Sequence, residues 1–310
     1  MTPRRTLFRW LAILAAMLFI PSLAPRAEAA NLAAALRYVP GDAMAVGTVD
    51  VSKLQRLPLY RKMQQRFYAE EPDAKKEIDE LKRATGFDPF RDIKGLVVAV
   101  GPDFEQDDEQ FVVIAEARVS EPRMIAFMKK KGATPQLRND ARLGRWYELA
   151  GGEAGLAFRG PHVIFGGKKT FIAALAKKGP DPKIKKLIAP YLIKDLGFAA
   201  LVPAELKKNA RREMPELGDV ETIRGGGSLQ NGLDLELFAG FNSATSASKI
   251  ADIANQFLDR ARQSPEVART GLGKYASKLQ LIALGKDIKA SIKLTRAEVD
   301  ELVKLVDTLL

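Results

Sequence analysis

The sequence predicts an α+β protein built from two similar halves, each an antiparallel sheet with helices packed on one face. Three observations carry this expectation. Short apolar and β-branched runs are joined by brief glycine-containing turns, which favours antiparallel ladders. Stretches of helical period follow pairs of such runs and must cover a sheet face. The order strand, helix, strand pair, helix, strands, helix occurs twice along the chain.

The first half opens with a strand over 43–51. Ser52 and Gln55 stand at capping-box spacing, and Leu54, Leu57, Tyr60 and Met63 recur at helical spacing. Pro58 kinks that segment or sets a new start. A second helix covers 74–84 and stops at Gly86, followed by turn residues at 85–89. Strands at 95–101 and 110–119 flank an acidic loop, Asp103-Phe104-Glu105-Gln106-Asp107-Asp108-Glu109. Ser120-Glu121-Pro122 then starts a helix carrying Met124, Ile125, Phe127 and Met128 and ending at Gly132. Three short strands follow, at 142–150, 155–159 and 162–166. Thr170 begins another helix, and Pro180-Asp181-Pro182 breaks it ahead of a short amphipathic turn.

The second half starts with a strand over 196–202 and a helix over 204–214. Strands at 220–229 and 233–241 flank Asn231-Gly232, a strong hairpin signal. Leu233, Leu235, Leu237 and Ala239 alternate with Asp234, Glu236 and Phe238, which predicts one buried and one wet face. Residues 242–246 cap a long helix with Ile250, Ile253, Ala254, Phe257 and Leu258 on one stripe. Strands at 278–284 and 288–294 flank Gly285-Lys286-Asp287. Thr295 with Glu298 forms the capping box of the last helix.

The first residues read as an export signal. Arg4, Arg5 and Arg9 precede an apolar run from Trp10 to Ile20, prolines follow at 21 and 25, and Ala27-Glu28-Ala29 fits a small-x-small cleavage site. The run is too short to span a bilayer, which needs about 20 apolar residues. The expected organisation is therefore a signal peptide at 1–29, a first α+β unit at 30–194 and a second at 195–310. The expected location is periplasmic or extracellular, after cleavage near Ala29; an uncut anchor is the alternative. Arg4-Arg5 fits a twin-arginine leader and an ordinary basic n-region equally.

Composition narrows the chemistry. The chain has no cysteine, one histidine and a net charge of +11. Disulfides, thiolate nucleophiles and cysteine metal sites are excluded, and one histidine cannot build a multi-histidine zinc site. His162 has no Gly-x-Ser-x-Gly elbow to serve, so it reads as a structural residue at a hairpin end. Ser246-Ala247-Ser248-Lys249 matches Ser-x-x-Lys, but the companion motifs of that chemistry are missing and Ser246 sits where a helix cap belongs. Residues 165–170 resemble a phosphate loop whose first glycine is replaced by His162 and whose hydroxyl position holds Lys169. Gly225-Gly226-Gly227 marks a bulge or a close backbone approach. The acidic loop offers oxygen ligands without EF-hand spacing, and a solvated hairpin tip explains it equally. No catalytic, cofactor-binding or metal-binding residue is assigned.

Basic residues remain as candidates for an anion-binding surface: Lys129, Lys130, Lys131, Lys168, Lys169, Lys207, Lys208, Arg211 and Arg212. Few aromatics interleave with them, so specific nucleic-acid binding is not expected.

Tyr38-Val39-Pro40-Gly41-Asp42-Ala43, a strand ending in Val49-Asp50-Val51, then Thr85-Gly86-Phe87-Asp88-Pro89 and Asp92-Ile93 follow one another over about 36–120. In this order the chain resembles a group of uncharacterised exported bacterial envelope proteins. The resemblance implies an envelope protein without an established activity and transfers no site residues. The expectation is an exported non-enzymatic protein with a binding or scaffolding role, its partner an anionic envelope surface or an apolar small molecule. Two alternatives stand beside it. One is a carrier of an apolar ligand or lipid in a sheet–helix cavity lined by Phe111, Trp146, Phe158 and Phe165. The other is a hydrolase using two converging carboxylates.

Overall fold

The structure is a computed structural model that describes residues 30–102 and 110–309. The expected leader and the acidic loop 103–109 lie outside these residues. The chain divides into two compact units, one ending at Lys185 and the other starting at Lys186. Tyr191 lies in the second of these units, where its buried ring stands against Gly226.

Seven strands make the antiparallel sheet of the first unit: β1 (Ala45–Val49), β2 (Ile93–Val100), β3 (Phe111–Ala117), β4 (Gln136–Asp140), β5 (Gly144–Leu149), β6 (Ala154–Arg159) and β7 (His162–Gly167). Their spatial order is β1-β2-β3-β7-β6-β5-β4. The helices that matter are α1 (Val51–Leu54), α2 (Pro58–Glu70), α3 (Pro72–Thr85), α4 (Glu121–Lys130) and α5 (Lys168–Leu175).

Proline opens both α2 and α3, where a missing N–H costs nothing. Gly86, at φ 78°, ends α3 in the left-handed cap that glycine favours. The capping box expected at Ser52 is not made. Asp50 caps α1, its Oδ1 accepting from the Lys53 N–H at 3.2 Å and from Ser52 Oγ at 2.6 Å. Gln55 is turned inward, and its Nε2 donates to the carbonyls of Phe90 and Ile93.

Strand pairing sorts the core by face. Val97, Ile114, Ile164 and Ala157 stand opposite one another in one buried row. Helix α5 covers this face, with Phe171 over Gly155. On the other face Tyr147, Leu156 and Phe165 form a row beneath Ile125 of α4. A helix therefore stands on each side of this sheet. Strand β4 was not expected. Its residues are all exposed and polar apart from Leu137, so only the ladder to β5 defines it.

The second unit has five antiparallel strands: β8 (Leu196–Leu201), β9 (Val220–Ser228), β10 (Leu233–Phe241), β11 (Gln280–Leu284) and β12 (Asp287–Leu294), in the order β8-β9-β10-β12-β11. Its main helices are α6 (Ala204–Glu213), α7 (Ala244–Gln263) and α8 (Arg296–Leu309). The connectivity repeats that of the first unit. Strands β8, β9, β10, β12 and β11 take the places of β1, β2, β3, β7 and β6, and a helix follows β3 as another follows β10. The first unit continues past β6 with the β5–β4 hairpin; the second stops at β11.

The register runs through Gly225–Gly227 without a shift, so the glycines mark close packing and not a bulge. A Cβ at Gly225 would stand 2.4 Å from the Glu236 carbonyl oxygen, and one at Gly226 would meet Tyr191 at 2.7 Å. The expected buried row on β10 is corrected. Leu233, Leu235 and Leu237 are only half-buried, because α7 seats over Ala239, Ile288 and Leu281 at one end of the sheet. The opposite face carries the ion pairs Arg224–Asp287, Lys289–Glu236 and Lys293–Asp234. Thr295 and Glu298 form the expected capping box of α8, the Thr295 N–H donating to Glu298 Oε2 at 2.8 Å.

Candidate functional site

His162 opens β7 directly after Gly160-Pro161 and is buried. The Tyr38 ring lies 5.5 Å away, and neither imidazole nitrogen has a hydrogen-bond partner among the described residues. Burial holds the imidazole below its ordinary pKa of 6.5; Glu116 opposes that shift and Arg37 adds to it. No hydroxyl bonds to it, so the hydrogen-bonded chain of a triad is not assembled. A shallow, open depression beside it is bordered by Ala117, Arg118, Val119, Ser120, Gly160 and Pro161.

The Ser-x-x-Lys residues point to different partners. Ser243, not Ser246, is the N-cap of α7. Ser246 Oγ donates to Asp219 Oδ2 at 2.5 Å, while Lys249 Nζ pairs with Glu216 Oε1 at 3.1 Å. Asp219 also accepts from Asn242 Nδ2 at 3.0 Å and has Arg211 at 3.6 Å. These partners lower the pKa of Asp219, chiefly through Ser246. Glu216 is lowered by a backbone hydrogen bond and by Lys249. Both carboxylates are therefore ionised near neutrality. No group of three metal-ligating side chains occurs among the described residues.

The four aromatics expected to line one cavity do not share a face. Trp146 packs against Phe171 at 5.5 Å on the α5 side. Phe158 and Phe165 lie in the α4 cluster on the other side, with Phe111 at 6.0 Å from Phe165.

The basic candidates fall into three places. Lys129 and Lys130 end α4, Lys131 is its C-cap, and Lys168 and Lys169 open α5. Since α4 and α5 cover opposite sheet faces, these two groups do not converge. Lys130 and Lys131 pair with Glu80, and Lys168 pairs with Glu148 at 2.7 Å. The helix start resembling a phosphate loop thus has one of its lysines already paired, with a carboxylate that Arg138 shares.

The third group lies on α6, in the second unit. Its sequence is Ala-Glu-Leu-Lys-Lys-Asn-Ala-Arg-Arg-Glu, and none of its described side chains is buried. It rests on the turn at Pro215–Asp219, where the Arg211 chain lies over Gly218. Lys207 reaches Glu221 at 3.0 Å. Lys208 and Arg212 make no ion pair among the described residues and are exposed. Leu206 is 43% exposed beside them. Helix α7 adds an apolar group that periodicity assigned to the core: Phe257 is 63% exposed, while Ala247 and Ala251 make the buried contact. Nothing in the local sequence distinguishes Phe257 from a core residue, since the period of the stripe continues through it.

No family model matches the chain, and no curated protein matches it. Among solved structures, crystal form I of TP0453 aligns over 88% of this chain and 96% of its own at 10% identity, with a TM-score of 0.43.

Proposed function

We propose that this is an exported envelope protein without enzymatic chemistry of its own, which attaches through α6 to an anionic surface of the lipid head-group kind. The observation that carries the reading is the helix itself. A ten-residue helix in water is marginal, since isolated helices below about 12–15 residues rarely hold. None of its described side chains is buried, and α6 meets the body of the protein through the Arg211 stem over Gly218 and the Lys207–Glu221 and Arg211–Asp219 pairs. A lipid interface supplies an apolar layer for Leu206 and negative charge for Lys208 and Arg212. The export signal at 1–29 supports the compartment in which such a surface is met.

The attraction is modest. Each cation near an anionic leaflet contributes about 1 kcal/mol, and Lys207 and Arg211 already have carboxylate partners, so Lys208 and Arg212 together supply about 2 kcal/mol. Binding of this size is reversible and sensitive to salt. Co-sedimentation with phosphatidylglycerol vesicles at low ionic strength is the test, with phosphatidylcholine vesicles alongside. Binding to the anionic vesicles alone, weakened by salt and by a combined Lys208→Glu and Arg212→Glu exchange, is expected. Equal binding to both vesicles, or none at low salt, refutes the reading.

A further inference from the structure

Sheet edges recruit other chains, and proteins blunt them with charge, proline or bulges. The outer strand of the first unit is blunted. Strand β4 carries Arg138 and Asp140, and every residue in it is exposed. The outer strand of the second unit is not. Strand β11 reads Gln280-Leu281-Ile282-Ala283-Leu284, without charge, proline or a break in register against β12. Ile282 is 49% and Leu284 is 50% exposed. The repeated connectivity sharpens the contrast. Strand β11 holds the place of β6, and β6 has a further neighbour, β5, on its outer side.

The bonding parity of this edge follows from the turn. Gly285-Lys286 joins Leu284 to Asp287, and the closing pair of a two-residue hairpin exchanges both its hydrogen bonds. The bond from the Phe241 N–H to the Lys286 carbonyl, 2.8 Å, fixes the same alternation from the other side of β12. Gln280, Ile282 and Leu284 therefore bond inward, while Leu281 and Ala283 turn their N–H and C=O groups outward. The Leu281 carbonyl accepts from Asn255 Nδ2 of α7 at 3.2 Å and keeps a second lone pair.

We propose that β11 pairs antiparallel with the same strand of a second copy of this chain, about a twofold axis through Ile282. In that register Leu281 faces the partner's Ala283, so the two outward-bonding residues meet and exchange N–H···O bonds. Ile282 lies against the partner's Ile282, and Leu284 against the partner's Gln280. A second copy fits because the strand, reversed about Ile282, reproduces its own bonding pattern, as an isologous contact requires. Within the five paired residues no like charges stand opposite one another. The partner strand supplies the neighbour that β5 supplies to β6. Five residues of edge form a small interface, so the dimer is concentration-dependent.

The absence of cysteine makes the test clean. Ile282→Cys gives a single thiol at the axis, where facing Cβ atoms in such a pair lie about 4.5–5.5 Å apart. Leu137→Cys, on exposed β4, is the control. Under mild oxidation at about 0.1 mM protein, the Ile282→Cys chain is expected to cross-link on the order of tenfold faster, reflecting a millimolar effective concentration in the dimer. Analytical ultracentrifugation of the parent should show mass rising with concentration. Ala283→Pro removes an outward N–H that β12 does not use, and it should leave a folded monomer. Ile282→Lys asks the same question if the proline variant does not fold. A parent that stays monomeric, equal cross-linking at 282 and 137, or a dimer that survives both edge variants would overturn the proposal.

Discussion

Gly155→Ala tests the tightest contact in the first unit. A Cβ at this position would stand 2.1 Å from Cδ1 and 2.3 Å from Cε1 of Phe171. Carbon atoms in favourable contact are about 3.5–4.0 Å apart, so the ring must retreat by about 1.5 Å. It has little room, because Phe171 is fully buried and Trp146 lies 5.5 Å from it. Overpacking of this kind costs about 1–3 kcal/mol, and a ring backed by a second buried ring puts the expected loss near 3 kcal/mol. For a protein of this size that lowers Tm by roughly 6–12 °C. In a chain produced from Ala30 onward, which omits Trp10, Trp146 is the only tryptophan, so urea unfolding followed by its fluorescence reports on the site itself. Phe171→Leu should relieve the clash, and the double variant should lose less than the sum of the single losses, by about 0.5–3 kcal/mol. A Gly155→Ala chain within about 0.5 kcal/mol of the parent, or strict additivity with Phe171→Leu, refutes the packing argument.

Two further outcomes are expected. His162 is neutral in the folded chain, its pKa depressed by burial, whereas the unfolded chain protonates it near 6.5. Below pH 6.5 the unfolded state therefore binds more protons, and stability falls toward the lower folded pKa by at most about 1.4 kcal/mol per pH unit. His162→Leu should flatten that part of the urea-midpoint profile, and an unchanged slope counts against the assignment. Asp195 is buried and accepts the Leu229 N–H on Oδ2 at 2.6 Å and Gln230 Nε2 on Oδ1 at 3.2 Å. Asp195→Ala deprives that N–H of its acceptor and should cost about 1–3 kcal/mol, while Asp195→Asn, which keeps an acceptor, should recover part of the loss in the same urea titration.

The sequence made the α+β class and the repeated order legible, because alternation, Asn231-Gly232 and the Thr295–Glu298 box act over a few neighbouring residues. It did not reveal β4, whose polar residues lack an alternating pattern and are held only by pairing with β5. It misassigned the cap of α1, since Asp50 and Ser52 are both good caps and the choice depends on which one the following turn presents to Lys53. The half-open face of β10 was invisible for a different reason: alternation reports which side chains share a face, not how far α7 reaches across it. The basic residues were legible as a group, yet charge alone could not separate Lys130, Lys131 and Lys168, which meet Glu80 and Glu148, from Lys208 and Arg212. Those carboxylates stand far from their partners in sequence.

The same connectivity has been finished differently in the two units, and the difference explains where each stands open. Beyond β6 the first unit adds β5, whose Trp146 packs against Phe171 beneath α5, and then β4, whose charges end the sheet. The second unit lacks that hairpin. Its sheet ends at the strand that is interior in the first, so uncharged Leu281, Ile282, Ala283 and Leu284 suit a paired position while occupying an edge. Charge that would blunt this edge stands elsewhere, in the Arg224–Asp287, Lys289–Glu236 and Lys293–Asp234 pairs of one sheet face and on α6. Two kinds of surface result within one unit, a cationic helix none of whose described side chains is buried and an apolar strand with outward hydrogen-bonding groups. They answer to different experiments: salt should weaken attachment through α6, whereas a backbone ladder between uncharged strands should persist at the salt concentration that releases the vesicles.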